Sequence, residues 1–367
     1  MFEQILSLPI EKKIGQLFFI GLHGAELGAD NRALFDEISP GGVSLYSRNI
    51  KNAGQVRRFL EDIRAASIIE PLLSIDEEGG VVDRLRRILT PMPAAASIKT
   101  AAEAIRLAEI TSEVLLLLGF NMNFAPVADV ADNARREFSN GLYSRCFGNS
   151  KDETSELAAA YLRALQDGGC LGCVKHFPGL GASRADSHEE LPVVDISEDE
   201  LFDEDLFPYR QLLKTGNVHA VMIAHAVYPQ TDLQETGADN KFLPSSLSFN
   251  FVTKLLRERL NFGGVIISDD LEMGAILKNY GIAEACKMAI DAGEDMLEIC
   301  ADAENVRKGF YALLDAVKGG EISENRIDQS LRRIAHLKSL ANQPLAFSQS
   351  RLDSLSKEIA ELNNSLN

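Results

Sequence analysis

The sequence predicts an α/β fold, a single-domain TIM-like (β/α)8 barrel, and three observations carry that reading. Eight short apolar runs alternate with longer segments of helical period along nearly the whole chain. Most of these runs are hydrophobic throughout, without the polar alternation of a half-exposed sheet, as in parallel strands covered on both faces. No Pro/Gly/Ser-rich linker and no internal repeat divides the 367 residues, a length that one large barrel accommodates. The competing architecture is a doubly wound open sheet. That fold ordinarily carries a phosphate-binding fingerprint, and neither G-x-G-x-x-G nor G-x-x-x-x-G-K-[ST] occurs here.

In chain order the expected strands are residues 17–22, 42–46, 72–75, 122–130, 173–177, 220–227, 264–268 and 295–300. Helices are expected between them. Residues 52–67 place Val56, Phe59, Leu60 and Ile63 at helical spacing, and 100–118, 152–166, 248–260 and 274–292 repeat the pattern. The segment 197–213 opens with Ser197 and has Glu200 three residues on, the signature of a capping box. Residues 306–317 and 324–340 are also helical in period. The barrel is expected to occupy residues 1–342, with 343–367 as a C-terminal surface appendage.

Composition narrows the function classes. Hydrophobic residues are 46% and charged residues 25%, which is ordinary for a globular protein and argues against disorder. The 37 basic and 54 acidic residues leave a net charge of −17, so neither a nucleic-acid footprint nor a polybasic membrane patch is expected. No apolar run approaches the ~18 residues of a membrane helix. The start, MFEQILSLPIEKK, lacks the basic stretch and apolar core of a secretory signal. Cys146, Cys170, Cys173, Cys286 and Cys300 are too few and odd in number for a disulfide framework, which points to reduced thiols and a cytoplasmic location. Cys170 and Cys173 form a C-x-x-C, but no second pair at zinc-site spacing accompanies it.

In such barrels chemistry collects at the C-terminal ends of the strands. Here S-I-D-E-E-G-G puts Asp76 after strand three, and F-A-P-V-A-D-V puts Asp129 after strand four. V-K-H-F-P-G puts Lys175 and His176 at the end of strand five, I-A-H-A-V puts His225 after strand six, and V-I-I-S-D-D-L puts Asp269 and Asp270 after strand seven. Titratable groups thus end five of the eight runs, all at the same end. The segment KHFPGLGASRADSHEELP reads as a long loop. In it Asp186 and His188 are two apart, so in extended chain they share a side, and the carboxylate can orient the imidazole for proton transfer. Asp270 is placed to cap a helix starting near Leu271, which leaves Asp269 as the chemical candidate.

KHFPGLG followed by DSHEELP and then GGVIISDDLEM resembles the catalytic barrel of glycoside hydrolase family 3, and more narrowly its single-domain bacterial β-N-acetylglucosaminidases of cell-wall recycling. The likeness runs from about Lys12 to Arg333 and includes IDEEGG with Arg84, NFAPVADV, SRCFG and AHAVYP. It implies a nucleophile at Asp269, an acid/base at His188 oriented by Asp186, and sugar-binding positions at Asp76, Arg84, Arg145, Lys175 and His176. It also implies a carbohydrate substrate from peptidoglycan, with no cofactor, no metal, no nucleic acid and no membrane, acting as a monomer. Leu180 stands where the family commonly has His, and Val81 where it commonly has Arg. Three other readings are weighed beside it. One is a family 3 β-glucosidase or β-xylosidase. Another is a metal-dependent barrel hydrolase built on His176, His188, His225 and Asp269. Such barrels usually carry H-x-H after strand one, where this chain has His23 alone. The last is a sugar-binding protein on a decayed glycosidase barrel.

Overall fold

The computed structural model describes residues 2–136, 142–183, 190–237 and 240–366. Eight parallel strands form the barrel: β1 (Phe18–Gly21), β2 (Gly42–Leu45), β3 (Leu72–Ile75), β4 (Met122–Asn123), β5 in two segments (Leu171–Gly172 and Val174–Phe177), β6 (Ala220–Ile223), β7 (Val265–Asp270) and β8 (Met296–Ile299). Closure depends on the split in β5. Its first segment pairs with β4 through Met122 and Leu171, and its second pairs with β6 through Val174 and Val221. The Cys173 N–H between them reaches the carbonyls of Asn123 and Ala125, both at 3.0 Å. At the other join β1 pairs with both β2 and β8. The strands are buried because helices cover the outside while large side chains such as Phe19 and Phe124, in edge-to-face contact at 5.3 Å, pack in the core.

All eight expected strands are present, with adjusted ends. Strand four is regular only over Met122–Asn123, because Pro126 has no N–H to give a ladder. The chain beyond it touches β5 once more, at Val127 against Lys175, before reaching Asp129. Strand seven instead runs on to Asp270.

The helix at Ala101–Leu118 has the full capping box, Thr100 and Glu103 exchanging hydrogen bonds. At Ser197 only half of the expected box forms. Ser197 accepts from the Glu200 N–H, but the Glu200 carboxylate turns to Arg135 at 3.0 Å. The helical segment that follows widens to π hydrogen bonding over Leu201–Asp205 before resuming at Leu206–Lys214. The single helix expected over 274–292 is two, Gly274–Leu277 and Ile282–Ala292, divided at Gly281. The segment after residue 343 carries a helix, Gln349–Ser365, laid on the helix Ala101–Leu118, with Leu352, Leu355, Ile359 and Leu362 joining the core. The five cysteines are free and buried. Among the described residues no helix is long and apolar enough to cross a membrane.

Candidate active site

The C-terminal ends of β2, β3, β5, β7 and β8 surround a cavity of about 280 Å³. Its lining includes Asp76, Arg84, Arg145, Lys175, His176 and Asp269, six of the eight site residues expected from sequence. The other two, Asp186 and His188, lie outside the described residues.

After β3 the chain turns at once into a two-stranded ribbon, Glu77–Gly79 against Val82–Asp83. Gly79 and Gly80 make its turn at φ of 85° and 59°, a region that costs other residues strain. Alternation along extended chain sends Asp76 and Glu78 to one side and Glu77 to the other. Glu77 is buried, with Oε2 accepting the Arg84 and Leu85 N–H groups. Burial and the nearby Asp83 push its carboxyl well above the usual range.

Asp76 and Glu78 share Lys175, whose Nζ lies 2.6 Å from Asp76 Oδ1 and 2.6 Å from Glu78 Oε1. Arg145 clamps Glu78 from the other side, Nε at 2.7 Å from Oε2 and Nη2 at 2.9 Å from Oε1. Burial alone would neutralise Glu78, but the charges of Arg145 and Lys175 outweigh it and hold the carboxyl far below its ordinary range. Lys175 shows the mirror effect. Burial works against its charge, yet Asp76 and Glu78 keep the amine above its usual value. Arg84 approaches Asp76 at 3.6 Å.

His176 is held at both ring nitrogens. Nδ1 lies 2.7 Å from Asp129 Oδ2, and Nε2 lies 3.3 Å from Arg145 Nη2. A guanidinium only donates, so in the neutral ring Nε2 is the acceptor and Nδ1 carries the proton toward Asp129. Asp129 is fully buried behind the cavity and also accepts the Leu180 N–H at 2.7 Å.

At the end of β7 the two neighbouring aspartates separate in character. Burial opposes ionisation of Asp269, but facing His176 and His225 and accepting the Asp270 N–H at 2.9 Å bring its carboxyl below the ordinary range. Asp270 is pushed up to about 7 by burial and by the charges of Glu272 and Asp269. The expected cap at Asp270 takes a smaller form. Its Oδ1 accepts the Glu272 N–H at 3.0 Å, whereas the helix begins only at Gly274 behind Met273. His225 supports this strand end from below, with Nδ1 2.7 Å from Ser246 Oγ and Nε2 3.2 Å from the Asp270 carbonyl. That leaves it structural and fully buried.

Sequence reasoning missed Glu78, Tyr46 and Glu298. Glu78 lies in I-D-E-E-G-G, and its i, i+2 parity with Asp76 is the signal that finds it. Glu298 is a carboxyl inside the apolar run MLEIC, a placement rare without a partner. It accepts from Tyr46 OH at 3.0 Å and from Cys300 Sγ at 3.2 Å. Burial and the charges of Asp270, Asp76 and Asp269 raise it well above the carboxylate range. Of the departures from the family pattern, Val81 is 63% exposed at the ribbon turn, whereas Leu180 lines the cavity.

The chemical capacity is that of an ionised carboxylate, Asp269, at the rim of a small polar pocket whose opposite wall is an ordered net of cations and carboxylates. Residues 9–337 match the model of the glycosyl hydrolase family 3 N-terminal domain. A β-hexosaminidase of Psychromonas ingrahamii is 36% identical over 307 residues, 82% of this chain and 86% of that protein. One from Pseudomonas aeruginosa is 34% identical over 300 residues, covering 80% and 85%. Among solved structures, a glycoside hydrolase family 3 β-N-acetylglucosaminidase from Paenibacillus superposes with a TM-score of 0.87 at 33% identity, over 97% of this chain and 69% of that one. A family 3 glycosyl hydrolase of Mycobacterium smegmatis gives 0.80 at 34% identity, over 91% and 98%.

Proposed function

The chain belongs to glycosyl hydrolase family 3, and from that premise we propose that it is a retaining exo-β-N-acetylglucosaminidase acting through a glycosyl-Asp269 intermediate. The observation that carries the reading is the place of Asp269, a carboxylate at the C-terminal end of β7 that lines a sugar-sized polar cavity. The hexosaminidase names of the relatives support the acetamido sugar. Muropeptide-like fragments of peptidoglycan are the proposed source of that sugar, in line with the sequence likeness to cell-wall recycling enzymes. Five free thiols support a cytoplasmic site of action.

In this reading Asp269 attacks the anomeric carbon as the leaving oxygen takes a proton from His188, and a covalent acetal ester results. His188 then takes a proton from water, which attacks the same carbon from the opposite side, so configuration is retained overall. An imidazole replaces the second carboxyl of most glycosidases, and its ordinary pKa near ~6.5 suits it to both transfers. Asp186 orients the ring. Asp76, Arg84, Lys175 and Arg145 hold sugar hydroxyls and the ring in place, with Glu78 and Asp129 fixing the cations and His176 behind them. A cavity of about 280 Å³ is at the small end for a ligand site, which supports removal of one terminal sugar over internal cleavage.

The test compares p-nitrophenyl β-N-acetylglucosaminide with the β-glucoside and follows the released anomer by NMR. The acetamido substrate should dominate and the β anomer should appear first. Asp269→Ala should lose at least roughly 10³-fold in kcat, and Asp270→Ala far less. Equal use of the glucoside would overturn the sugar assignment, and initial release of the α anomer would overturn the covalent route.

A further inference from the structure

A second cavity, of about 760 Å³, opens at the opposite face of the barrel, beside the residues that lead into β6 and β7. Its lining is unlike the rest of this acidic protein. Among the described residues it contains no aspartate or glutamate, although the chain carries a net charge of −17. It brings together Arg210 and Lys214 from the helix Leu206–Lys214, His219 before β6, Arg259 before β7, and Arg332 and His336 from the helix Glu324–Leu340.

None of these six forms an ion pair with a carboxylate among the described residues. Arg333, in the same wall, is by contrast spoken for by Asp295 at 2.9 Å. The Arg210 Nε is buried and has no hydrogen-bond partner. Arg259 stacks on the Phe202 ring at 3.8 Å and Arg332 on Phe2 at 5.5 Å. Stacking fixes a guanidinium plane and leaves its N–H edge free for an anion. His219 is pushed below its ordinary value by burial and by the positive charge of His336 facing it. Repulsion of this kind is relieved when an anion sits between like charges.

We propose that this cavity binds an oligophosphate anion, inorganic or carried by a nucleotide. Several fixed cations around one space match a ligand with several adjacent charges, and arginine forks match phosphate oxygens in geometry. The volume lies within the range of small-molecule sites. The site is independent of the glycosidase reading, since it lies at the N-terminal ends of strands whose C-terminal ends carry Asp269.

The experiment is calorimetric titration of the full chain with pyrophosphate, tripolyphosphate and ATP at low ionic strength and about pH 8, where the phosphates are fully ionised. Wild type should show saturable one-site binding. The double variant Arg259→Gln/Arg332→Gln should bind at least about tenfold more weakly, with its melting temperature and glycoside turnover preserved. His336→Gln, a single exposed change in the same lining, is read in parallel so that a folding defect in the double variant does not decide the result, and it should weaken binding as well. Equal affinity for tripolyphosphate and ATP assigns recognition to the phosphates alone, and tighter ATP binding adds the nucleoside to the ligand. Absence of saturable binding, unchanged binding in the folded variants, or an equal loss in Lys308→Gln, a cation outside the cavity, would overturn the proposal.

Discussion

Asp76 and Glu78, two carboxylates on one side of a short extended segment, both reach for the single amine of Lys175. Glu78 also carries the bidentate bond from Arg145, so its removal leaves two buried or half-buried cations short of a partner. Glu78→Gln should therefore destabilise the protein by roughly 3–5 kcal/mol, the range for breaking a buried pair from one side. The pH dependence has a definite sign. The Glu78 carboxyl is lower in the folded chain than in the unfolded one, so its contribution is complete above the unfolded value near ~4.3 and is lost as pH falls below it. Chemical denaturation between neutral and acidic pH should show a shallower loss of stability in Glu78→Gln than in wild type. Parallel curves would mean that the clamp on Arg145 and Lys175 is not the acid-sensitive contact. The same residue shows what the sequence made legible. The run I-D-E-E-G-G announced a functional strand end, but which carboxylates face inward depends on the ribbon turn at Gly79 and Gly80, and parity had to be followed through that turn.

At the scale of elements, the eight strands were legible because burial on both faces writes a continuous apolar run into each. Helices were legible wherever an amphipathic stripe and a cap agreed, as at Thr100 and Glu103. The misjudged element is 274–292, whose apolar spacing continues across a break. Gly281 adopts φ 72° and ψ 151°, a conformation nearly closed to residues with a Cβ, and it starts the second helix at Ile282. Periodicity alone does not reveal such a break when the flanking stripes remain in phase. A Cβ at Gly281 would meet nothing within 4 Å, so a substitution there isolates backbone strain from packing. Gly281→Ala should cost about 1–3 kcal/mol in urea unfolding. A neutral result would mean that the turn relaxes to another conformation with no effect on the helices after β7. The half-formed box at Ser197 has a different origin. Arg135, buried with Asp205, competes for the Glu200 carboxylate that would have closed it, and that tertiary contact is invisible to a local pattern.

For the whole molecule, the closed sheet and its helical layer were readable, but the long-range polar contacts that join distant segments were not. Lys338, near the end of a helix that packs under the barrel, is buried with its amine 2.9 Å from Gln16 Oε1, a contact spanning nearly the whole chain. Burial pulls its amine down to about 7, with Glu70 opposing that shift. The unfolded chain therefore binds a proton that the folded chain refuses between about pH 7 and the unfolded value near ~10.4. The resulting penalty is complete at and below the folded value and fades as pH rises through this window. Lys338→Met should raise stability near pH 7 by roughly 1–3 kcal/mol, the relief exceeding the loss of the Gln16 hydrogen bond. The gain should shrink toward pH 10 in paired thermal melts, and a gain independent of pH would assign it to packing alone. The C-terminal helix belongs to this scale as well. Its four buried apolar side chains find their partners on a helix more than two hundred residues earlier, so the tail read from sequence as an appendage.

A retaining glycosidase with Asp269 as nucleophile must pass through a state in which Asp269 is covalently bound to sugar. Incubation with a fluorinated β-N-acetylglucosaminide bearing a good leaving group, which slows the second step more than the first, should accumulate the intermediate. Peptide mapping by mass spectrometry should then find one sugar adduct on GGVIISDDLEM, with fragmentation placing it on Asp269 and none forming in Asp269→Ala. An adduct on Asp270 or elsewhere, or full turnover with no adduct at any time, would contradict the account.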